Sequence, residues 1–104
     1  MKSHRIAFEE MAWEISPGGA RSKQQNLGNK QLRLLEFGRN LNHPDWCLNG
    51  HIGYVLEGEM EVEFDNQTLR FKTGDGLYFH AGEADRHRPR AITERVCLIF
   101  VEDI

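Results

Sequence analysis

Residues 50–79, GHIGYVLEGEMEVEFDNQTLRFKTGDGLYF, carry alternating segments separated by glycine, asparagine and aspartate. Within them EMEVEF (59–64) puts Met60, Val62 and Phe64 on one side and Glu59, Glu61 and Glu63 on the other, the two-residue period of a strand with one face on a core. Asp65 and Asn66 are turn formers that return the chain as QTLRFK (67–72), where Leu69 and Phe71 are the apolar members of a second alternation. Counting outward from that two-residue loop pairs Val62 with Leu69 and Met60 with Phe71 on the buried face. The same count sets Glu61 against Arg70 and Glu59 against Lys72 on the wet one. Both faces agree with a single register, so the hairpin is locally self-consistent.

The flanks continue the pattern. Gly58 follows Tyr54, Val55, Leu56 and Glu57 and supplies the positive φ of a tight turn, and Gly74, Asp75 and Gly76 make another before a short strand Leu77–Phe79. Val96–Val101 is a continuous apolar run inside the segment 94–102, which predicts a strand buried on both faces or lying under a second sheet. Gln31–Phe37 reads as a strand, and Ala7–Ser16 as a strand or short helix ahead of a turn at Pro17, Gly18 and Gly19. Residues 20–29 are polar and read as an edge strand or a loop. Helical periodicity is scarce, and the predicted class is all-β.

A chain of 104 residues with 39% apolar content fits one domain, residues 1–104, with a single core. Its net charge of −3, with Lys and Arg dispersed among acids, offers no basic face for nucleic acid. No apolar run is long enough to cross a bilayer, and MKSHRIAFEE lacks the apolar stretch of a signal peptide, so a cytoplasmic location is expected. Cys47 and Cys97 are then expected as thiols, Cys97 as a small hydrophobe within VCLIFV.

Gly50–Gly58 (GHIGYVLEG), followed by GDGLYF (74–79) and Ala81–Gly82, resembles the cupin family over about residues 30–102. The resemblance implies a small jelly-roll β-barrel with a divalent metal held inside by H-x-H, a glutamate and a last histidine. At those positions this chain has other residues. His51 stands at the glutamate, Asp45 and Cys47 at the first two histidines, and Asp85 at the last, with His87 two residues beyond. His80 replaces the proline of the second segment, and Gly82 keeps its glycine.

The residues themselves still suggest a site. Residues two apart on a strand face the same way, so Asp45 with Cys47, and Asp85 with His87, can share the interior. With His51 that makes five donors, of which Cys47, His51, His87 and one aspartate would complete four-coordination. A thiolate with imidazoles suits zinc, iron, nickel or manganese and disfavours magnesium or calcium. Three bland or rival readings stand beside this one. His51 is a hydrogen-bonded core residue, with Asp85 and His87 an ion pair at the rim. Cys47 is a nucleophile paired with His51 and an aspartate. The barrel holds a small molecule without metal. Trp46, Tyr54, Tyr78 and Phe79 read as core or barrel wall, and Arg86, Arg88 and Arg90 as a solvated face. The resemblance implies small-molecule binding, with oxidoreductase or isomerase chemistry on an organic acid or sugar, and leaves catalysis open. It also implies a homodimer, to which β-compatible residues before Pro17 can contribute.

Overall fold

A computed structural model describes residues 4–42 and 45–104; the turn expected at His43 and Pro44 lies outside the described residues. Among the described residues the strands are β1 (Glu14–Ile15), β2 (Arg21–Leu27), β3 (Lys30–Gly38), β4 (His51–Glu57), β5 (Glu59–Glu63), β6 (Thr68–Lys72), β7 (Gly76–Phe79), β8 (Arg88–Ala91) and β9 (Arg95–Asp103). They form a six-stranded sheet in the order β1-β2-β3-β9-β4-β7 and a three-stranded sheet in the order β6-β5-β8. The two close over one core, the all-β jelly-roll barrel that the resemblance implies.

The hairpin has the expected register, Met60 opposite Phe71 and Val62 opposite Leu69. Its turn is closed by the Phe64 N–H donating to the Gln67 carbonyl at 2.8 Å. Met60 and Val62 are fully buried, whereas Leu69 lies on the outermost strand of the small sheet and remains 40% exposed. On the wet face Arg70 lies 3.5 Å from Glu59 and 3.6 Å from Glu61, and Lys72 turns instead to Asp75. Arg86 meets Asp65 at 2.6 Å, Arg88 meets Glu63 at 2.8 Å, and Arg90 meets Glu61. Exposed pairs of this kind are screened by water and hold little energy, so they bear on strand identity and solubility more than on stability.

Two expectations resolve differently, and one open alternative is decided in favour of the strand. The segment 7–16 becomes a single 3-10 turn at Phe8–Glu10 followed by the two-residue β1. Residues 21–27 are a strand, paired to β3 from Arg21–Glu36 to Leu27–Lys30. The run Val96–Val101 is not buried on both faces. Val96, Leu98 and Phe100 point inward and are buried, while Val101 points outward and is 39% exposed.

Strand β9 lies at the centre of the large sheet, and among the described residues no second sheet covers its outer face, on which Trp13 lies over Arg21 and Lys23 of β2. Register aligns Leu32, Val101, Ile52 and Tyr78 in one outward row, and Leu34, Ile99 and Tyr54 in the next. Tyr54 and Tyr78 therefore stand outside the barrel rather than in its wall, 47% and 63% exposed.

Candidate metal centre

The site forms where one end of β4 and of β9 meets the segment leading into β8. Cys47 and His87 exchange both backbone hydrogen bonds, Cys47 N–H to His87 O at 2.8 Å and His87 N–H to Cys47 O at 3.1 Å. Residues paired in this way project their side chains to the same face, which sets the thiol beside the imidazole. His51 opens β4 opposite Phe79, and Phe100 packs against its ring at a centroid distance of 4.6 Å. One donor atom from each of Cys47, His51 and His87 lies within 4.8 Å of the others.

Hydrogen bonding fixes which atoms face the centre. His87 Nδ1 is 3.0 Å from the Asp85 carbonyl oxygen, to which it donates. This leaves Nε2 as the lone-pair nitrogen, and it is buried with no hydrogen-bond partner. Cys47 Sγ lies 3.7 Å from His51 Nε2. His51 Nδ1 lies 3.2 Å from Glu102 Oε2, and both atoms lack an aligned hydrogen bond. Glu102 in turn is 3.5 Å from Arg33 Nη1.

These neighbours shift the titrations. The hydrogen bond from His51 is the main influence that lowers the Cys47 thiol to about 6. Burial opposes charge on His51, but the thiolate and Glu102 outweigh it and raise the imidazole to about 9. Burial likewise works to raise Glu102, and His51 and Arg33 overcome it, so the carboxyl is held below its ordinary value. Cys97 moves the other way, raised by burial and by Glu36 and Glu57. At neutral pH the centre thus holds a thiolate–imidazolium pair next to a buried carboxylate.

The donor set fits a first-row transition metal. Zinc ligands at about 2.3 Å for sulfur and about 2.0 Å for nitrogen stand about 3.5 Å apart in a tetrahedron, near the Sγ–Nε2 separation of 3.7 Å. The Asp85 carbonyl on His87 and the Glu102 carboxylate on His51 are the outer partners that orient imidazole ligands. Of the five expected donors, Cys47, His51 and His87 come together. Asp45 is exposed. The Asp85 carboxylate accepts the His80 N–H at 2.7 Å, so Asp85 reaches His87 only through its backbone carbonyl. His80 stacks on Tyr78 at 4.4 Å. Trp46 carries Arg86 at 4.5 Å and Arg88 at 4.2 Å, an arrangement of the rim.

Glu102 was not among the sequence candidates, although a glutamate three alternations after Val96 on an inward-facing strand was the available signal. Arg33 has the same signature on β3, lying opposite the inward Phe100. Both line a cavity of about 180 Å³ together with the three donors, over an apolar floor that includes Met60, Leu77 and Leu98.

The family profile described as "Cupin domain" matches residues 36–102. None of the curated proteins matches. Among solved structures, KdgF from Halomonas sp. is 22% identical, covering 97% of this chain and 94% of that one with a TM-score of 0.73. An RmlC-like cupin from Shewanella frigidimarina is 16% identical, covering 98% and 91% with a TM-score of 0.76. The EutQ protein of Clostridium difficile is 14% identical, covering 95% and 69% with a TM-score of 0.66. At these identities the likeness is one of fold, and it agrees with the two-sheet barrel found here. With the profile spanning most of the barrel strands, the chain belongs to the cupin family.

Proposed function

We propose that the 104 residues act as one small-molecule-binding barrel whose interior holds a divalent transition metal on Cys47, His51 and His87. The observation that carries this reading is the convergence of three donors around a buried, unpartnered His87 Nε2. A metal there would supply Lewis acidity, with a coordination position open to a ligand. The chain's own residues prepare the place. The Asp85 carbonyl fixes the His87 tautomer, Glu102 favours an N–H at His51 Nδ1, and the apolar floor excludes water from the ligand. Sulfur in the set favours zinc or iron over nickel and manganese.

Protein purified without added metal or a histidine tag is expected to carry close to one equivalent by elemental analysis, falling below about a tenth in Cys47→Ser. Sub-stoichiometric metal, unchanged in Cys47→Ser, would end this reading. It would favour the metal-free binding barrel, a reading supported by the ability of Cys47 and His51 to satisfy each other as an ion pair. A cytoplasmic setting accords with both cysteines being free thiols.

We also propose a homodimer formed by the outer face of the large sheet. Ile52, Tyr54, Leu56, Tyr78 and Val101 together expose on the order of 500 Å² there, the scale at which apolar patches on monomers are interfaces. Ion-paired ends flank the patch, Lys30 with Asp103 at one side and Arg21 and Arg95 with Glu36 and Glu57 at the other. An apolar centre with a polar rim is the usual anatomy of a protein interface. Sedimentation at micromolar concentration should give a dimer, and Ile52→Glu with Tyr78→Glu a folded monomer. A monomeric wild type would remove the proposal.

A further inference from the structure

The cavity beside the three donors has one cation aimed into it whose partners do not satisfy it. Arg33 lies on β3 with its side chain inward, opposite Phe100. Its Nε donates to Gln24 Oε1 at 3.1 Å. Its Nη1 stands 3.5 Å from Glu102 Oε1, near enough for charge attraction and too far for a hydrogen bond. Nη2 has no hydrogen-bond partner among the described residues. A guanidinium placed only to neutralise Glu102 would close on it as a fork with two short bonds. Here Glu102 is instead drawn toward His51, at 3.2 Å, and the guanidinium lines the cavity 31% exposed, 6.0 Å from the Phe100 ring, with its planar fork of donors only partly used by protein partners.

We propose that Arg33 is the receptor for the carboxylate of a small monocarboxylic acid, whose apolar body lies on Met60, Leu77 and Leu98. Guanidinium and carboxylate match as planar bidentate partners, and a half-desolvated arginine strengthens that match. The space suits the size. About 150 Å³ of apolar cavity accommodates a benzene ring, so 180 Å³ takes that ring or a branched aliphatic chain with one carboxyl group. The inference deepens the reading proposed above by naming a ligand for the same cavity; the placement of Arg33 stands without the metal.

The test is calorimetric titration of the full chain with benzoate and with its neutral isostere benzamide, metal content being measured in the same samples. Benzoate is expected to bind at least tenfold more tightly than benzamide, and Arg33→Met, which keeps an apolar stem, to lose at least tenfold in benzoate affinity at unchanged metal content. Equal binding of the two compounds, no binding of benzoate, or full affinity in Arg33→Met would each overturn the proposal. Should Arg33→Met fail to fold, Arg33→Lys and the benzoate–benzamide ratio in the wild type decide the matter, since lysine keeps charge and loses the fork. Arg33-dependent benzoate binding in protein that carries no metal would sustain the carboxylate receptor while removing the metal centre. Metal present with Arg33-independent binding would do the reverse.

Discussion

Gly58→Ala is expected to destabilise the barrel by about 3 kcal/mol, lowering the midpoint of thermal unfolding by roughly 15 °C. Two costs add. Gly58 has φ of 89°, where an L side chain is strained by about 1–2 kcal/mol. A Cβ at this position would also stand 2.1 Å from the Arg95 carbonyl oxygen and 2.7 Å from Thr93 Oγ1. The neighbour is backbone, and it belongs to the strand that carries Glu102. Relief therefore requires β9 to shift or the β4–β5 turn to open, an overpacking cost of about 1–3 kcal/mol. The same turn is tied down by Thr93 Oγ1, which accepts the Glu59 N–H at 2.9 Å, so displacement there loses a second contact. Gly28→Ala is the control: its φ is 67° and nothing lies within 4 Å of the added carbon, so only the strain remains, about 1 kcal/mol. Denaturant unfolding of both variants separates the two costs. Equal losses in the two would mean that the close approach of Arg95 is not felt.

The contrast between these glycines marks what the chain discloses by itself. Gly58 is recognisable as a turn from its place after YVLE, because local sequence dictates local backbone. The hairpin register follows from the same logic, since a two-residue loop and two alternating strands admit only one pairing that keeps Met60, Val62 and Phe71 together. The apolar run of β9 misleads for an equally physical reason. Composition reports that Ile99 and Val101 are hydrophobic, but only topology decides whether a second sheet lies over them, and among the described residues none does.

The centre is legible in part. Cys47, His51 and His87 are donors in segments that a barrel brings together, and they do converge. Asp45 and Asp85 satisfy the same alternation argument and are nevertheless not in the cluster. Asp45 and Trp46 lie outside any strand, and a 3-10 turn at Glu83–Asp85 breaks the alternation ahead of His87. Glu102 and Arg33 escape notice because their partners are far along the chain: Glu102 meets His51 across two strands, and a lone charged residue on a strand looks like a solvent-facing one until the inward parity of β9 and β3 is known.

Glu102 is the residue on which this distinction can be measured. Glu102→Gln is expected to weaken metal affinity by about 10–100-fold, read by competition with a chromophoric zinc chelator, with a thermal midpoint within a few degrees of wild type. The carboxylate lies 3.2 Å from His51 Nδ1 and so favours the tautomer that keeps a proton there and presents the Nε2 lone pair to the centre. It also adds negative charge beside a bound cation. Glutamine retains an acceptor of the same size, which preserves the packing against His51, but removes the charge and admits the flipped amide with its donor toward the ring. Asp45→Asn is the matched control at an exposed carboxylate, and its affinity should stay within about twofold of wild type, as expected of a charge outside the outer ring of ligand partners. An unchanged affinity in Glu102→Gln would show that His51 is oriented by its packing on Phe100 alone, at 4.6 Å, and would reduce Glu102 to the counter-ion of Arg33. A loss in Asp45→Asn as large as that in Glu102→Gln would instead bring the loop before Cys47 into the coordination sphere.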